Sequence, residues 1–133
     1  MKNLSLTILL MLLISSCDSI LSQKDEGFGH CEEDLFEKIR EEDSLRIWVT
    51  HDMEYSREGL LSEDEAAEQR EQIEARHEQL LHLMDDLNLE YSGVNPMSYY
   101  PSIVMSVREP GLKFLCTSEL VAEIREEQSL HAP

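Results

Sequence analysis

Apolar residues are distributed unevenly along the chain. One near-continuous block, Leu4 to Ile14, is broken only by Ser5 and Thr7, and after it apolar positions recur at spacings that name secondary structure. Asp18 to about Gly29 is polar, with Ser, Gln, Lys, Asp, Glu and Gly and little to bury, and reads as a tether. Glu32 to Glu42 predicts a short helix with Leu35, Phe36 and Ile39 on one side. Leu45 to Thr50 alternates and is β-branched, so it predicts a strand whose Leu45, Ile47 and Val49 face a core. From Ser62 to Leu87 a long helix is expected: Ser62 and Glu65 stand in capping-box spacing, and Ile73, Leu80, Leu81, Met84 and Leu87 form its apolar stripe. Two short strands, Leu89 to Val94 and Ser102 to Val107, flank a wide loop, Asn95 to Pro101. Pro110 suits the first turn of a second helix carrying Leu112, Leu115 and Cys116. Leu120 to Glu126 predicts a last strand, and Gln128 to Pro133 a tail.

After the short lead-in helix, the order is strand, helix, strand, strand, helix, strand. That predicts an α+β fold of ferredoxin-like βαββαβ type, an antiparallel four-stranded sheet with two helices on one face. The other face is left open, and an uncovered face on a small domain is a place for a partner. With Leu45, Ile47 and Val49 turned inward, Arg46, Trp48 and Thr50 project from that open face as a candidate interface. The alternative is that Trp48 is a structural tryptophan of the core.

The beginning of the chain adds an address. Lys2 followed by Leu4 to Ile14 has the charge and length of a secretory signal, too short for a permanent membrane span. Ile14-Ser15-Ser16-Cys17 resembles the bacterial lipobox, which implies cleavage before Cys17 and acyl chains, palmitate among them, on its sulfur. At about 0.8 kcal/mol per buried CH₂, several such chains anchor a protein almost permanently. Asp18 resembles the signal that keeps enterobacterial lipoproteins at the inner membrane, so the expected site is the bacterial cell envelope, with the periplasmic face of the inner membrane as one option. The divisions are therefore a signal peptide over 1–16, an anchor, tether and lead-in helix over 17–43, and one folded module with its tail over 44–133.

Net charge is −17, with 28 acidic against 11 basic residues, and loss of the signal removes only Lys2. Nucleic acid would be repelled. With Cys17 lipidated, Cys31 and Cys116 remain; in an oxidising compartment they are expected to pair, the alternative being two buried thiols. Catalysis finds little footing. His77 and His82 lie five residues apart, which on a helix turns them away from each other, and both are expected as polar surface histidines. Two cysteines and scattered histidines make no zinc site, Glu63-Asp64-Glu65 reads as first-turn dipole complementation, and no nucleophile has a suitably spaced base. No enzyme, metal or cofactor is expected.

From about Leu45 onward the chain resembles the propeptide domains of subtilisin-like serine proteases and the stand-alone inhibitors built like them. The resemblance is carried by Leu45-Arg46-Ile47-Trp48-Val49, the helix with Ile73 and Leu80-Leu81, Pro101-Ser102-Ile103-Val104-Met105, and the closing Leu120-Val121-Ala122-Glu123-Ile124-Arg125-Glu126-Glu127. It implies that the open sheet face packs on two helices of a protease and that Leu130, His131, Ala132 and Pro133 enter its cleft as a product-like strand. Pro133 departs from the pattern, because its fixed φ hinders fit beside the nucleophile. No protease follows in the chain, so the implied action is in trans, as inhibitor or folding helper. The competing class is a non-inhibitory module docking another envelope protein through the same face.

Overall fold

The structure, a computed structural model, describes residues 31–128. The signal, Cys17, the tether and Leu130 to Pro133 lie outside the described residues. Within them, helix α1 (Glu33–Glu42) precedes strand β1 (Leu45–His51), a 3₁₀ turn (Glu58–Leu60), helix α2 (Glu63–Asp86), strands β2 (Tyr91–Pro96) and β3 (Ser102–Val107), helix α3 (Glu109–Thr117) and strand β4 (Val121–Glu126). The four strands form one antiparallel sheet in the order β2-β3-β1-β4, so β1 and β3 are central and β2 and β4 are edges. No described helix is long and apolar enough to cross a membrane.

Alternation along β1 decides which side of the sheet is wet. Leu45, Ile47 and Val49 are buried and share one apolar cluster with Ile103, Met105 and Val107 of β3 and Val121 and Ile124 of β4. All three helices close over that side, α1 through Leu35, Phe36 and Ile39, α2 through Leu80 and Met84, and α3 through Leu112, Leu115 and Cys116. The lead-in helix thus shares the core of the sheet rather than standing before it.

Ser62 caps α2 as expected: its hydroxyl accepts from Glu65 N at 3.2 Å while the Glu65 carboxylate accepts from Ser62 N at 2.9 Å. The buried stripe of α2 is Ala66, Gln69, Ile73, His77, Leu80 and Met84, a 3-4-4-3-4 spacing that includes two polar residues. Three expectations need correction. Leu87 does not continue the stripe; it caps the helix, and its side chain is 55% exposed. Asn88, at φ 52°, ends the helix with a Schellman pair, Leu89 N to Met84 O at 2.9 Å and Asn88 N to Asp85 O at 3.0 Å. Residues 88 and 89 are therefore spent on stopping the helix, so β2 begins at Tyr91 rather than Leu89 and runs on to Pro96, whose missing N–H is tolerated on an edge strand. His77 is not a surface histidine: it is buried, while His82 is exposed beside Asp86.

Cys31 and Cys116 form a disulfide, with Cα atoms 5.4 Å apart, that ties the entry to α1 to the last turn of α3. The bridge spans 85 positions of sequence, and in the chain-entropy account a loop of that length stabilises a fold by about 4 kcal/mol. Urea unfolding of the oxidised chain against the Cys31→Ser, Cys116→Ser double variant is expected to show that loss, with no change in far-UV circular dichroism before the transition.

Candidate functional site

Opposite the helices, the sheet presents three cross-strand rows. Ser106 pairs with Arg46; Val104 pairs with Trp48, which pairs with Arg125; Ser102 pairs with Thr50, which pairs with Glu123. Arg46, Trp48 and Thr50 therefore stand together on the side away from the core, each half-buried. Ile47 and Val49 between them are fully buried, which fixes the phase of the strand.

Polar contacts tie the strands together on this face. Thr50 Oγ1 and Ser102 Oγ share a hydrogen bond at 2.8 Å. Arg46 reaches over β2, its Nη1 donating to the Gly93 carbonyl at 3.0 Å, while its Nε forms an ion pair with Glu127 just past β4. One guanidinium thus spans the sheet from edge to edge. Gly93 makes that possible: β2 slips its register against β3 between Ser92 and Asn95, and Gly93 sits there at φ +59°. A Cβ on Gly93 would lie 2.8 Å from Arg46 Nη1.

Between these polar rows lies an apolar centre. Val104 is buried although it faces away from the helices, flanked by Trp48 on β1 and Asn95 on β2. The Trp48 indole nitrogen is covered and has no hydrogen-bond partner among the described residues. Beside Trp48 an open groove of about 640 Å³ runs along the end of β4, lined by Lys38 of α1 and by Arg125, Glu126, Glu127 and Gln128 where the chain leaves the sheet. Lys38 and Glu126 form an ion pair across it, and the carboxylate raises the Lys38 pKa.

The face adds residues that sequence reasoning passed over: Val104, Glu123, Arg125, Glu127 and Gly93. A glycine inside a strand pattern was the available signal for the bulge. Nothing in the local sequence marks Val104 as belonging to the opposite face from Ile103 and Met105 except the strict alternation of β3. The expected tail residues Leu130 to Pro133 and the lipidation residue Cys17 lie outside the described residues. Among the described residues no group of three or more His, Cys, Asp or Glu side chains is gathered where it could hold a metal ion.

Gly93→Ala is expected to destabilise the domain by about 1–2 kcal/mol, since it combines a strained positive φ with displacement of the Arg46 guanidinium. A companion Arg46→Met variant should recover part of that loss in urea unfolding, because it removes the colliding atom. Comparison with protein-family models, with curated proteins and with solved structures yields no match to this chain.

Proposed function

We propose that this chain is a lipid-anchored binding module of the bacterial envelope that docks a subtilisin-like serine protease on its open sheet face and delivers its C-terminal tail to the protease cleft. The observation that carries the reading is the open face itself: a four-stranded sheet with Trp48 and Val104 at its centre and charged side chains, Arg46, Glu123 and Arg125, around them. An apolar centre with a polar rim is the anatomy of a recognition surface. The strand order supports a ferredoxin-like reading of the module, because β1 and β2 flank β3 while β3 and β4 flank β1, giving two interleaved βαβ units with α1 as an addition. In propeptides of subtilisin-like proteases, which the sequence resembles, such a sheet covers two protease helices.

The exit of the chain supports the second half of the proposal. β4 is an edge strand, and after Glu126 the backbone remains held by Glu127 N donating to Arg46 O at 3.0 Å. The described chain therefore ends beside the open face, and in the proposed complex Leu130 to Pro133 pair with a protease strand edge, backbone hydrogen bonds giving affinity and their side chains specificity. Cys17, in its lipobox context, supplies the anchor, and the Cys31–Cys116 bridge fits an oxidising compartment. The face alone, docking another envelope protein without the tail, is the second reading, favoured by the fixed φ of Pro133.

Residual activity of subtilisin-type proteases, titrated with the full chain in detergent and with a chain ending at Glu127, tests the proposal. Inhibition by the first and loss of at least tenfold in potency by the second are expected; no inhibition by either across several such proteases overturns it. Trp48→Ala is expected to weaken the complex by about 2 kcal/mol, roughly thirtyfold in Kd, whichever reading holds.

A further inference from the structure

Two imidazoles are buried against each other away from the open face. His51, the last residue of β1, is 2% exposed, and His77, in the middle of α2, is 6% exposed. His51 Nε2 lies 2.7 Å from His77 Nδ1, and His77 Nε2 lies 2.8 Å from the Met97 carbonyl oxygen. A carbonyl only accepts, so His77 Nε2 carries a hydrogen and donates it. In the neutral ring His77 Nδ1 is then bare and accepts from His51 Nε2–H. His51 Nδ1 is left unprotonated, and it meets no hydrogen-bond partner among the described residues. With both rings neutral the chain of hydrogen bonds thus has one direction, and an added proton finds no acceptor in it. The chain of hydrogen bonds fastens β1 and α2 to residues 97–101, the loop between β2 and β3, which is also tied by His51 N donating to Pro101 O at 2.8 Å.

We propose that the His51–His77–Met97 chain is a proton-sensitive latch that holds the β2–β3 loop against α2 and releases it on acidification. A proton on His77 Nδ1 sets two N–H groups head to head unless the His51 hydrogen moves to Nδ1, where no acceptor receives it. A proton placed directly on His51 Nδ1 is also a buried donor without a partner. The charges acting on His51 are those of His77 and Arg76, both on α2 and both unfavourable to a cation. Asp52, Glu54 and Tyr55 after β1, Tyr99 and Tyr100 of the loop, and the Arg70–Glu58 pair beside Tyr99 also carry titratable groups here, and the charges that act on His51 are those of His77 and Arg76. Burial first, then His77 and Arg76, lower the His51 pKa to about 4. Because this value lies below the ordinary one, the latch is fully effective above about pH 6.5 and weakens as pH falls toward 4.

The latch governs an aromatic surface. Tyr99 is 61% exposed and lies under the Arg70 guanidinium, 4.8 Å from it, while Tyr100 meets Tyr55 edge to face at 5.1 Å. Arg70 is itself held by Glu58 through two hydrogen bonds, of 2.5 and 2.7 Å. Releasing the loop frees Tyr99 and Tyr100 from these neighbours while the apolar cluster, which contains neither histidine, stays closed.

Hydrogen exchange of the full chain in detergent, corrected for the intrinsic pH dependence of amide chemistry, reads the latch directly. A group titrating near 6.5 when released and near 4 when latched gives roughly thirtyfold faster exchange at pH 5 than at pH 7.5 for the amides of His51, Met97 and Ser102, with Ile47 and Val49 unchanged. The double variant His51→Asn, His77→Gln, which hydrogen-bonds without titrating, should show no such rise. Equal protection at both pH values in the native chain, or the same rise in the double variant, overturns the proposal. Should that variant fail to fold, long-range ¹H–¹⁵N spectra of the native imidazoles decide. Hydrogen on His51 Nε2 with a ring neutral below pH 5 upholds the latch, and a ring titrating near 6.5 without any change in the loop overturns it.

Discussion

The central strand β1 is the constraint on which the other elements depend. It is paired on both sides, to β3 over Leu45 to Thr50 and to β4 over Ile47 to His51, and its alternate side chains serve opposite faces. Leu45, Ile47 and Val49 anchor three helices, while Arg46, Trp48 and Thr50 form the middle of the open face. A one-residue slip would place Trp48 and an arginine among the helices and strand three aliphatic residues in water. Burying a side chain such as Ile47 is worth about 2 kcal/mol, so three of them outweigh any local preference that opposes this phase. The open face is therefore a consequence of the core.

A sheet with helices on one side only offers a small domain limited apolar burial, and this chain supplements it twice. Helix α1 adds Leu35, Phe36 and Ile39 to the cluster, and the Cys31–Cys116 bridge fastens its entry to α3. Against a total stability of about 5–15 kcal/mol for an ordinary domain, one disulfide of this span is a large share. These additions let the other face of the sheet remain uncovered. Its order comes instead from hydrogen bonds: Arg46 joins both edges, and Thr50 bonds Ser102.

The two ends of β1 carry different chemistry. At one end Arg46, Glu127 and the groove beside β4 surround the departure of the tail. At the other, His51 closes the strand beneath α2 and the β2–β3 loop. The open face and the loop meet at Ser102, which hydrogen-bonds Thr50 on the open face and the backbone of Met97 and Tyr100 in the loop. Net charge of −17 keeps the exposed helix surfaces apart from other acidic molecules and leaves the mixed-charge sheet face as the distinctive surface.

How much was legible in the sequence follows from the range of the interactions involved. Local signals identified the β1 alternation, the Ser62–Glu65 capping box, Pro110 in the first turn of α3 and the order of strands and helices, because each depends on neighbours within a few residues. The same alternation placed Arg46, Trp48 and Thr50 on one face. The start of β2 was misplaced because a polar Asn88 in left-handed geometry competes with a strand-like Leu89. Val104 and Gly93 joined the face through cross-strand register and Glu127 through its contacts with Arg46, and Gln69 and His77 entered the buried stripe because backbone and a second imidazole supplied their hydrogen bonds. Periodicity alone thus determined which elements form and how β1 is oriented; which polar groups are buried, and against what, was decided by tertiary contacts that bring residues some 13 to 60 positions apart within hydrogen-bond reach, where an unpaired polar atom is too costly to leave to chance.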